Sequence, residues 1–203
     1  MKAYVVKIDP KRPDKGTIAS AAGIIKKGGL VVFPTETVYG IAANLLNKDT
    51  VDKLYKIKKR SHTKPFTVHI SDLKMLEGMG CRITKEAKVL IDKFWPGPLT
   101  IILKSGDGKK IGFRMPANSV ALALISAAGV PVIAPSANIS GKKAPTSAEE
   151  VLKDLDKEID MILDSGKTEV GIESTVIDLT VNPPKILREG AVSAKELLRI
   201  ING

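Results

Sequence analysis

Cations and short polar side chains cluster at two points of the sequence. Residues 58–64 (KKRSHTK) carry Lys58, Arg60 and Lys64 at the end of a predicted helix. Ser136 and Asn138 follow the apolar run 130–135 and would share one face of an extended strand. Arginine grips two oxygens in a fork, and lysine adds a point charge. Together these residues indicate a site for the polyphosphate of a nucleotide or for the phosphates of RNA.

The position of Lys58 within its predicted helix supports this interpretation. Val51, Leu54 and Tyr55 form one apolar arc at helical spacing, and Lys58 lies on the same side of the helix. A lysine on a core-facing stripe either extends its ammonium group past the apolar surface to water or points into a cavity that holds an anion. The neighbouring cations favour the anion.

Other polar residues have both a structural and a functional interpretation. Residues 34–40 (PTETVYG) form either a polar connection to a helix or a ligand contact where a strand ends. His69 lies between two apolar strand residues, a position typical of a core histidine. Arg114 is either a surface residue or a clamp for a carboxylate. Residues 105–110 (SGDGKK) are most simply a hairpin turn.

Several kinds of chemistry are disfavoured by the sequence. Cys81 has no signature around it and is interpreted as a structural or incidental thiol. With only two histidines and no carboxylate cluster beside them, a protein-bound metal site is not expected. HExxH, GxSxG and GxxxxGK[ST] motifs are absent, and residues 166–168 (GKT) lack the first glycine of the last of these.

Composition indicates a globular protein with a basic surface. The 203 residues are 43% hydrophobic and 27% charged, and the net charge is +10. This charge permits RNA, nucleotide or acidic partners, but a lysine-rich surface also occurs for solubility alone. Residues 1–10 do not resemble a signal peptide, and the uncharged stretch 118–138 is interrupted by glycine and proline. A cytoplasmic location without a membrane span is therefore expected.

Short apolar strands alternate with helices, which predicts an α/β fold with a mixed, twisted sheet in a single domain, residues 1–203. Asp49 is the predicted N-cap of the second helix, and Thr146 with Glu149, and Ser193 with Glu196, are predicted capping boxes. Strands are predicted at 3–8, 30–34, 66–70, 99–104, 111–115, 130–135, 161–166, 174–180 and 185–189, and helices at 16–27, 49–60, 72–78, 84–94, 118–127, 146–156 and from 193 onward.

Eight motifs in order resemble the YrdC-like threonylcarbamoyl-AMP synthases across nearly the whole chain. They are FPTETVYG (33–40), the KxR of 58–60, KPFTVHIS (64–71), FWPGPLT (94–100), FRMP (113–116), APSANISG (134–141) with APT (144–146), ESTVIDL (173–179) and ILREGAV (186–192). The resemblance implies an open α/β sheet with flanking helices around a basic cavity. It also implies a nucleotidyltransferase that converts L-threonine, bicarbonate and ATP to threonylcarbamoyl-AMP and pyrophosphate, for threonylcarbamoyladenosine modification of tRNA.

The resemblance also implies roles for particular residues. Lys58 and Arg60 would be catalytic, and Mg²⁺ would arrive on ATP without a metal site in the protein. A downstream threonylcarbamoyl transferase complex would take the product, and direct tRNA binding is possible. ATP would contact Lys58, Arg60, Lys64, Ser136, Asn138, Ala144 and Arg188, and threonine would contact Thr35, His69, Arg114, Ala134 and Ser174.

Two departures from the family pattern stand out. Ser61 follows Arg60 where the family often has proline, and the chain ends at Gly203, so it resembles the short form without the C-terminal domain of longer relatives. Two other functions stay open: a non-catalytic module that binds tRNA or double-stranded RNA, and a carbamoyl-handling relative with the same fold. The low aromatic content of 4% argues against stacking of single-stranded RNA.

Overall fold

Ten strands form the framework of the molecule in the computed structural model, which describes residues 2–202. Their order across the sheet is β1-β8-β2-β3-β7-β4-β6-β5-β9-β10, with parallel and antiparallel neighbours. The predicted open, mixed α/β sheet is therefore confirmed. The strands are β1 (Tyr4–Lys7), β2 (Val31–Phe33), β3 (Gly40–Asn44), β4 (Val68–His69), β5 (Leu99–Lys104), β6 (Lys110–Arg114), β7 (Val132–Ile133), β8 (Met161–Asp164), β9 (Thr175–Asp178) and β10 (Lys185–Arg188).

Helices cover both faces of this sheet. On β2, Val32 faces one apolar cluster while Val31 and Phe33 face the other, as the twofold alternation of strand side chains requires. Helices α1 (Lys15–Lys26) and α5 (Ser119–Ala128) pack on the second face. The first face is covered by α2 (Lys48–Lys58), α3 (Lys74–Gly78), α4 (Lys85–Phe94), α6 (Ala148–Leu155) and α7 (Ala194–Asn202). Within residues 2–202, no helix is both long and apolar enough to cross a bilayer.

Two predicted helix caps are wrong by one or two positions. Asn47, not Asp49, caps α2 by accepting from the backbone N–H of Thr50. Ser147, not Thr146, caps α6, and its hydroxyl accepts from the Glu150 N–H. The predicted cap by Ser193 at the start of α7 is confirmed, because its hydroxyl accepts from the Glu196 N–H at 3.2 Å.

The sequence prediction missed β3, which is central to the sheet. Apart from Ile41 its residues are small or polar, and all five are buried, so the segment shows neither the alternation nor the run of branched side chains of a typical strand. β3 lies between β2 and β7, antiparallel to both. Gly40, at its start, approaches Phe33 and the Pro135 carbonyl so closely that a side chain would contact both. The loops after β2 and β7 thereby meet at one edge of the sheet.

Candidate functional site

A cavity of about 610 Å³ lies over one face of the sheet, next to the loops after β2 and β7. Thr35 follows β2, His69 ends β4, Arg114 ends β6, Ser136 follows β7 and Arg188 ends β10. Four cations and one carboxylate line the cavity, so it has a net positive charge. Because β2 and β7 run opposite to β4, β6 and β10, the cavity spans the face of the sheet between these strand ends, and it has the size of a small-molecule site.

Arg114 is the deepest cation, with only 5% of its surface exposed. One of its terminal nitrogens lies 2.8 Å from Glu36 Oε1 and donates to the Thr37 hydroxyl at 2.8 Å. Burial is the main cause that lowers the pKa of Arg114, and the Glu36 charge opposes this shift. Within residues 2–202, neither Glu36 oxygen accepts a well-aligned hydrogen bond, so the pair is held chiefly by charge. The guanidinium is therefore fixed at the cavity wall, and it retains N–H groups that can donate to a ligand.

His69 lies beside Arg114, because β4 and β6 pair in parallel with these two residues in register. The imidazole is buried, and its Nδ1 has no hydrogen-bond partner within residues 2–202. Burial, reinforced by the Arg114 charge, lowers the pKa of His69 to about 3. His69 is therefore neutral at physiological pH and can exchange hydrogen bonds with a ligand without adding charge.

Three further cations lie nearer the mouth of the cavity. The Arg60 guanidinium donates to the carbonyls of Lys64 and Pro65 at 2.9 and 3.1 Å and lies over the Phe66 ring. Burial lowers the pKa of Arg60, and the positive charge of Arg188 lowers it further. Lys64 and Arg188 are exposed. These cations around one opening repel one another, and a polyanion would relieve that repulsion.

Arg188 also organises Ser174. Its guanidinium donates to the Ser174 carbonyl at 3.0 Å, to the Ser174 hydroxyl at 3.2 Å and to Glu173 Oε1 at 2.9 Å. The Ser174 hydroxyl lies 2.9 Å from that of Thr100 at the start of β5. Arg188 was predicted as a nucleotide ligand and Ser174 as a threonine ligand, and the structure places them in direct contact.

The segment after β10 holds this group in place. A Cβ atom at Gly190 would lie 2.2 Å from the Glu173 carbonyl oxygen, so the two backbones meet where only glycine fits. The Thr175 hydroxyl accepts from the Gly190 and Val192 N–H groups and donates to the Val192 carbonyl at 2.5 Å. The GAV sequence of 190–192 therefore fixes the start of β9, directly after Ser174.

Thr35 lines the cavity, but its hydroxyl also makes internal bonds. It donates to the Val38 carbonyl at 2.7 Å and lies 2.9 Å from the Thr37 hydroxyl. Thr37 in turn accepts from Arg114. The 34–40 motif thus forms a tight turn that brings Thr35 to the cavity wall and positions Arg114 through Glu36 and Thr37.

Lys58 lies on the buried side of α2, as predicted, but it does not line the cavity. Its ammonium group donates to the Ser136 carbonyl, to the Asn138 carbonyl at 2.7 Å and to Asn138 Oδ1 at 3.2 Å. Burial lowers the pKa of Lys58 to about 8, and the Arg60 charge adds to the shift. Three acceptors match the three hydrogens of an ammonium group, so the charged form fits this cage. Lys58 ties α2 to the loop after β7.

Ser136 and Asn138 do not share a face, contrary to the strand argument. β7 ends at Ile133, and both residues lie in the loop that follows. Ser136 lines the main cavity, whereas Asn138 and Ala144 line a neighbouring concavity of about 250 Å³. The amide of Asn138 donates to the Lys142 carbonyl at 2.6 Å, which orients its oxygen toward Lys58.

Nine of the twelve predicted site residues line the main cavity, and Lys58, Asn138 and Ala144 do not. The prediction did not name Thr67, Thr100 or Glu173, which also line it. Glu173 precedes Ser174 in the ESTV motif, and Thr100 ends the FWPGPLT motif, so both were inside recognised segments. The nine are Thr35, Arg60, Lys64, His69, Arg114, Ala134, Ser136, Ser174 and Arg188.

The donor set of the cavity does not provide a cage for a metal ion. Glu173 is the sole carboxylate among the lining residues, and it pairs with Arg188. Within residues 2–202, no group of three side chains suited to metal binding occurs. A magnesium ion that keeps most of its waters and is held by substrate phosphates is compatible with such a site.

Comparison with known proteins places these features in a family. A family model described as Telomere recombination (Sua5_yciO_yrdC) matches residues 23–190, more than half of the chain. A threonylcarbamoyl-AMP synthase of Pyrococcus abyssi is 43% identical over 200 residues, which is 94% of this chain. The crystal structure of P. abyssi Sua5 complexed with L-threonine superposes with a TM-score of 0.92 at 41% identity, covering 98% of this chain and 61% of that one.

A shorter relative has almost the same extent. The crystal structure of Escherichia coli YciO superposes with a TM-score of 0.86 at 29% identity, covering 96% of this chain and 99% of that one. By contrast, the chain spans only 59% of the length of the P. abyssi synthase.

Proposed function

Since this chain belongs to the Sua5_yciO_yrdC family, we propose that it is a threonylcarbamoyl-AMP synthase. Its substrates would be L-threonine, bicarbonate and ATP, and its products threonylcarbamoyl-AMP and pyrophosphate. We propose that the chain forms a single catalytic domain. A downstream threonylcarbamoyl transferase complex would use threonylcarbamoyl-AMP to modify tRNA.

The observation that carries the proposal is the separation of two cationic sites within one cavity. Arg114 lies deep, beside hydroxyls and a neutral histidine, whereas Arg60, Lys64 and Arg188 surround the mouth. A single deep guanidinium suits the carboxylate of a small amino acid, and a cluster of cations suits a triphosphate. The α-phosphate would then meet the amino acid between the two sites.

The reaction needs no nucleophile from the protein. The threonine amine adds to bicarbonate, and loss of water gives a carbamate. A carbamate oxygen attacks the α-phosphorus of ATP, the bond to the β-phosphate oxygen breaks, and pyrophosphate leaves. Such chemistry asks the protein for positioning and charge stabilisation. Arg60, Lys64 and Arg188 would stabilise charge on the phosphates, and Arg114 would bind the threonine carboxylate.

The neutral groups at the deep end would orient threonine. The Nδ1 atom of His69 would exchange a hydrogen bond with the amine or hydroxyl of threonine, because this nitrogen has no other partner within residues 2–202. The hydroxyls of Thr35 and Ser174 and the backbone of Ala134 would complete the pocket. The positive charge of Arg114 would also disfavour an ammonium ion nearby, which promotes the free amine that the reaction requires.

Lys58 would act chiefly through the loop after β7. Its three contacts set the positions of Ser136 and Asn138, which we propose as ATP contacts together with Ala144. The ATP molecule would then extend from the main cavity toward the concavity that Asn138 and Ala144 line. Magnesium would ride on the triphosphate, consistent with the lack of a carboxylate cluster in the described part of the chain.

The test is pyrophosphate release under controlled substrates. The purified protein is incubated with ATP and Mg²⁺, with and without bicarbonate and each of several amino acids, and the acyl adenylate is identified by mass spectrometry. Release should require both threonine and bicarbonate. Release without threonine, or hydrolysis of ATP to ADP, would contradict the proposal and favour a carbamoyl-handling activity. No turnover combined with tight tRNA binding would favour an RNA-binding module.

A further inference from the structure

Two of the cations at the mouth of the main cavity lie on one short loop. Arg60 and Lys64 both line the cavity and belong to residues 59–65, which we call the cation loop. Residues 61–65 are exposed, and residues 61–63 include no proline whose ring would fix the backbone. The position of both cations therefore depends on what holds this loop against the rest of the molecule.

Hydrogen bonds shape the cation loop from within. The Lys64 N–H donates to the Ser61 carbonyl at 3.1 Å, and the Arg60 guanidinium donates to the Lys64 carbonyl at 2.9 Å. In the described part of the chain, residues 61–65 have a single hydrogen bond to another element. It is a long one, in which the Tyr55 hydroxyl donates to the Lys64 carbonyl at 3.4 Å. Hydrogen bonds therefore define the shape of the loop but tie its outer part only loosely to the fold.

An aromatic stack supplies a stronger tie. His62 and Phe66 both stack on Tyr55, with ring centroids 4.1 and 4.2 Å away and interplanar angles of 27° in each case. Two rings cannot lie so close to one face of a third without overlapping each other, so they occupy opposite faces of Tyr55. Tyr55 and Phe66 belong to the apolar core, whereas His62 is exposed. His62 is thus the outer layer of a stack whose base is fixed, and it joins the tip of the cation loop to α2.

Arg60 is connected to the same stack. Its guanidinium lies 5.2 Å from the centroid of the Phe66 ring, a cation–π contact. The Arg60 Nε also shares an acceptor with the Tyr55 hydroxyl, because both donate to the Lys64 carbonyl. The direction of the Arg60 guanidinium therefore depends on how the cation loop sits against these two rings.

We propose that His62 is a positioning residue for the cations that bind the polyphosphate of ATP. Its ring holds the cation loop on Tyr55 and thereby keeps Arg60 at the mouth of the main cavity. His62 does not line that cavity, so it acts through the loop and not by contact with the substrate. Because we assign Arg60 to ATP, this inference rests on the proposed function. A loop that is already held in place loses less freedom when ATP binds, which favours binding.

The kinetic test follows from the fraction of molecules in which the loop is in place. The apparent dissociation constant of ATP rises in inverse proportion to that fraction, whereas the chemistry of bound ATP is unaltered. His62→Ala should raise the ATP KM by about three- to tenfold, the factor that corresponds to the loss of one aromatic pair. Both kcat and the threonine KM should stay within about twofold of wild type. A lower kcat with an unchanged ATP KM would overturn the proposal, because it would indicate contact with the reacting groups.

Two further substitutions separate the ring from its polar atoms. His62→Phe keeps a ring that can stack and should retain the wild-type ATP KM. His62→Gln keeps a polar group without a ring and should behave like His62→Ala. Leu46→Ala is the matched control, because it shortens an exposed, uncharged side chain near the other end of α2, outside the cavity, and should leave the kinetics unchanged. Equal ATP KM values for the phenylalanine and glutamine variants would overturn the role of the stack.

A readout without substrates separates this inference from the proposed function. Trypsin cleaves after arginine, and the bond between Arg60 and the exposed Ser61 lies within the cation loop. Cleavage at this bond, followed by mass spectrometry, should be faster in His62→Ala than in wild type or His62→Phe, while the urea midpoint stays the same. Equal cleavage rates, or a large fall in the urea midpoint of His62→Ala, would overturn the proposal. If the protein released no pyrophosphate at all, the proposed function would fail, and proteolysis would still decide whether His62 holds the loop.

Discussion

Replacement of Lys58 with methionine should impair ATP use far more than it alters the free energy of unfolding. Methionine retains most of the length of the side chain and removes its charge. The substitution leaves the Ser136 carbonyl and two oxygens of Asn138 without the donor they share. The helix α2 and the loop after β7 then lose the side-chain tie between them.

Two opposing terms determine the effect on stability. Each buried acceptor left unpaired costs about 1–3 kcal/mol, and water can reach some of them. Against this, the variant no longer buries a charge, a cost that the lowered pKa of about 8 places at about 3 kcal/mol relative to the usual 10.5. With the three acceptors at the low end of this range, because water reaches some of them, the two terms nearly cancel, and the net change in unfolding free energy should stay within about 2 kcal/mol. If the loop is no longer positioned, kcat/KM for ATP should fall roughly 30- to 1,000-fold, which corresponds to a loss of about 2–4 kcal/mol of transition-state stabilisation.

The assay combines urea denaturation with ATP titration of pyrophosphate release. Lys56→Met, at an exposed position of α2, is the control and should change neither quantity. If Lys58 acts through the loop, Lys58→Met and Asn138→Ala should be strongly non-additive in kcat/KM. Additive losses would show that Lys58 acts independently of Asn138, as a direct phosphate contact would. Global unfolding of Lys58→Met would refute the cancellation of the two terms.

The pH dependence supplies an independent check with a defined sign. The pKa of Lys58 is about 8 in the folded protein and near 10.5 when unfolded, so the unfolded chain binds more protons between these values. Unfolding free energy should therefore rise with pH across this window, relative to Lys58→Met. ATP affinity should fall over the same window, because a neutral amine has too few hydrogens for three acceptors. A parallel rise of both quantities would refute the cage.

Three further predictions concern the deep end of the site and its support. Arg114→Lys should raise the threonine KM far more than the ATP KM, because lysine cannot make a two-pronged contact with a carboxylate; a raised ATP KM alone would reassign Arg114 to the nucleotide. Serine should be a poor substrate, with a kcat/KM lower by the equivalent of about 1–3 kcal/mol, because it lacks the methyl group. Valine should be worse, since Thr35, Ser174 and His69 would be left without the threonine hydroxyl. Equal rates for valine and serine would contradict that placement. Gly190→Ala should lower kcat/KM for both substrates together, because its Cβ atom would displace the backbone around Ser174; wild-type kinetics in a folded variant would exclude this supporting role.

Hydrophobic periodicity is sufficient to predict most of the sheet but not all of it. β5 (LTIILK) has apolar residues at four of its six positions, and its bounds agree with the prediction. β3 has glycine and alanine at most positions and is buried on both faces, so it produces no alternating pattern. Its strand conformation results from pairing with β2 and β7. A pattern read from a few consecutive residues does not contain the partner strand β7, which lies far along the chain.

Helical spacing placed Lys58 correctly but could not identify what it contacts. The spacing shows that the side chain points inward from α2. Its acceptors are carbonyls of a loop that lies 78 to 80 residues farther along the chain. Carbonyl directions depend on backbone torsions after β7, and residue types alone do not determine them. An inward lysine therefore looks the same in sequence whether it meets a phosphate or a ring of carbonyl oxygens.

The number of cations in the sequence does not show how the site holds them, because two carboxylates pair with two of its arginines. A cavity meant only for anions would exclude acidic residues, yet Glu36 contacts Arg114 and Glu173 contacts Arg188. Each carboxylate orients a guanidinium before any ligand arrives and offsets the repulsion among the four lining cations. Glu36 is buried and Glu173 is half-exposed at the mouth, so the first pairing is the more rigid. The deep end is thus preorganised for one ligand geometry, whereas at the mouth the exposed Lys64 keeps the freedom to follow a flexible triphosphate.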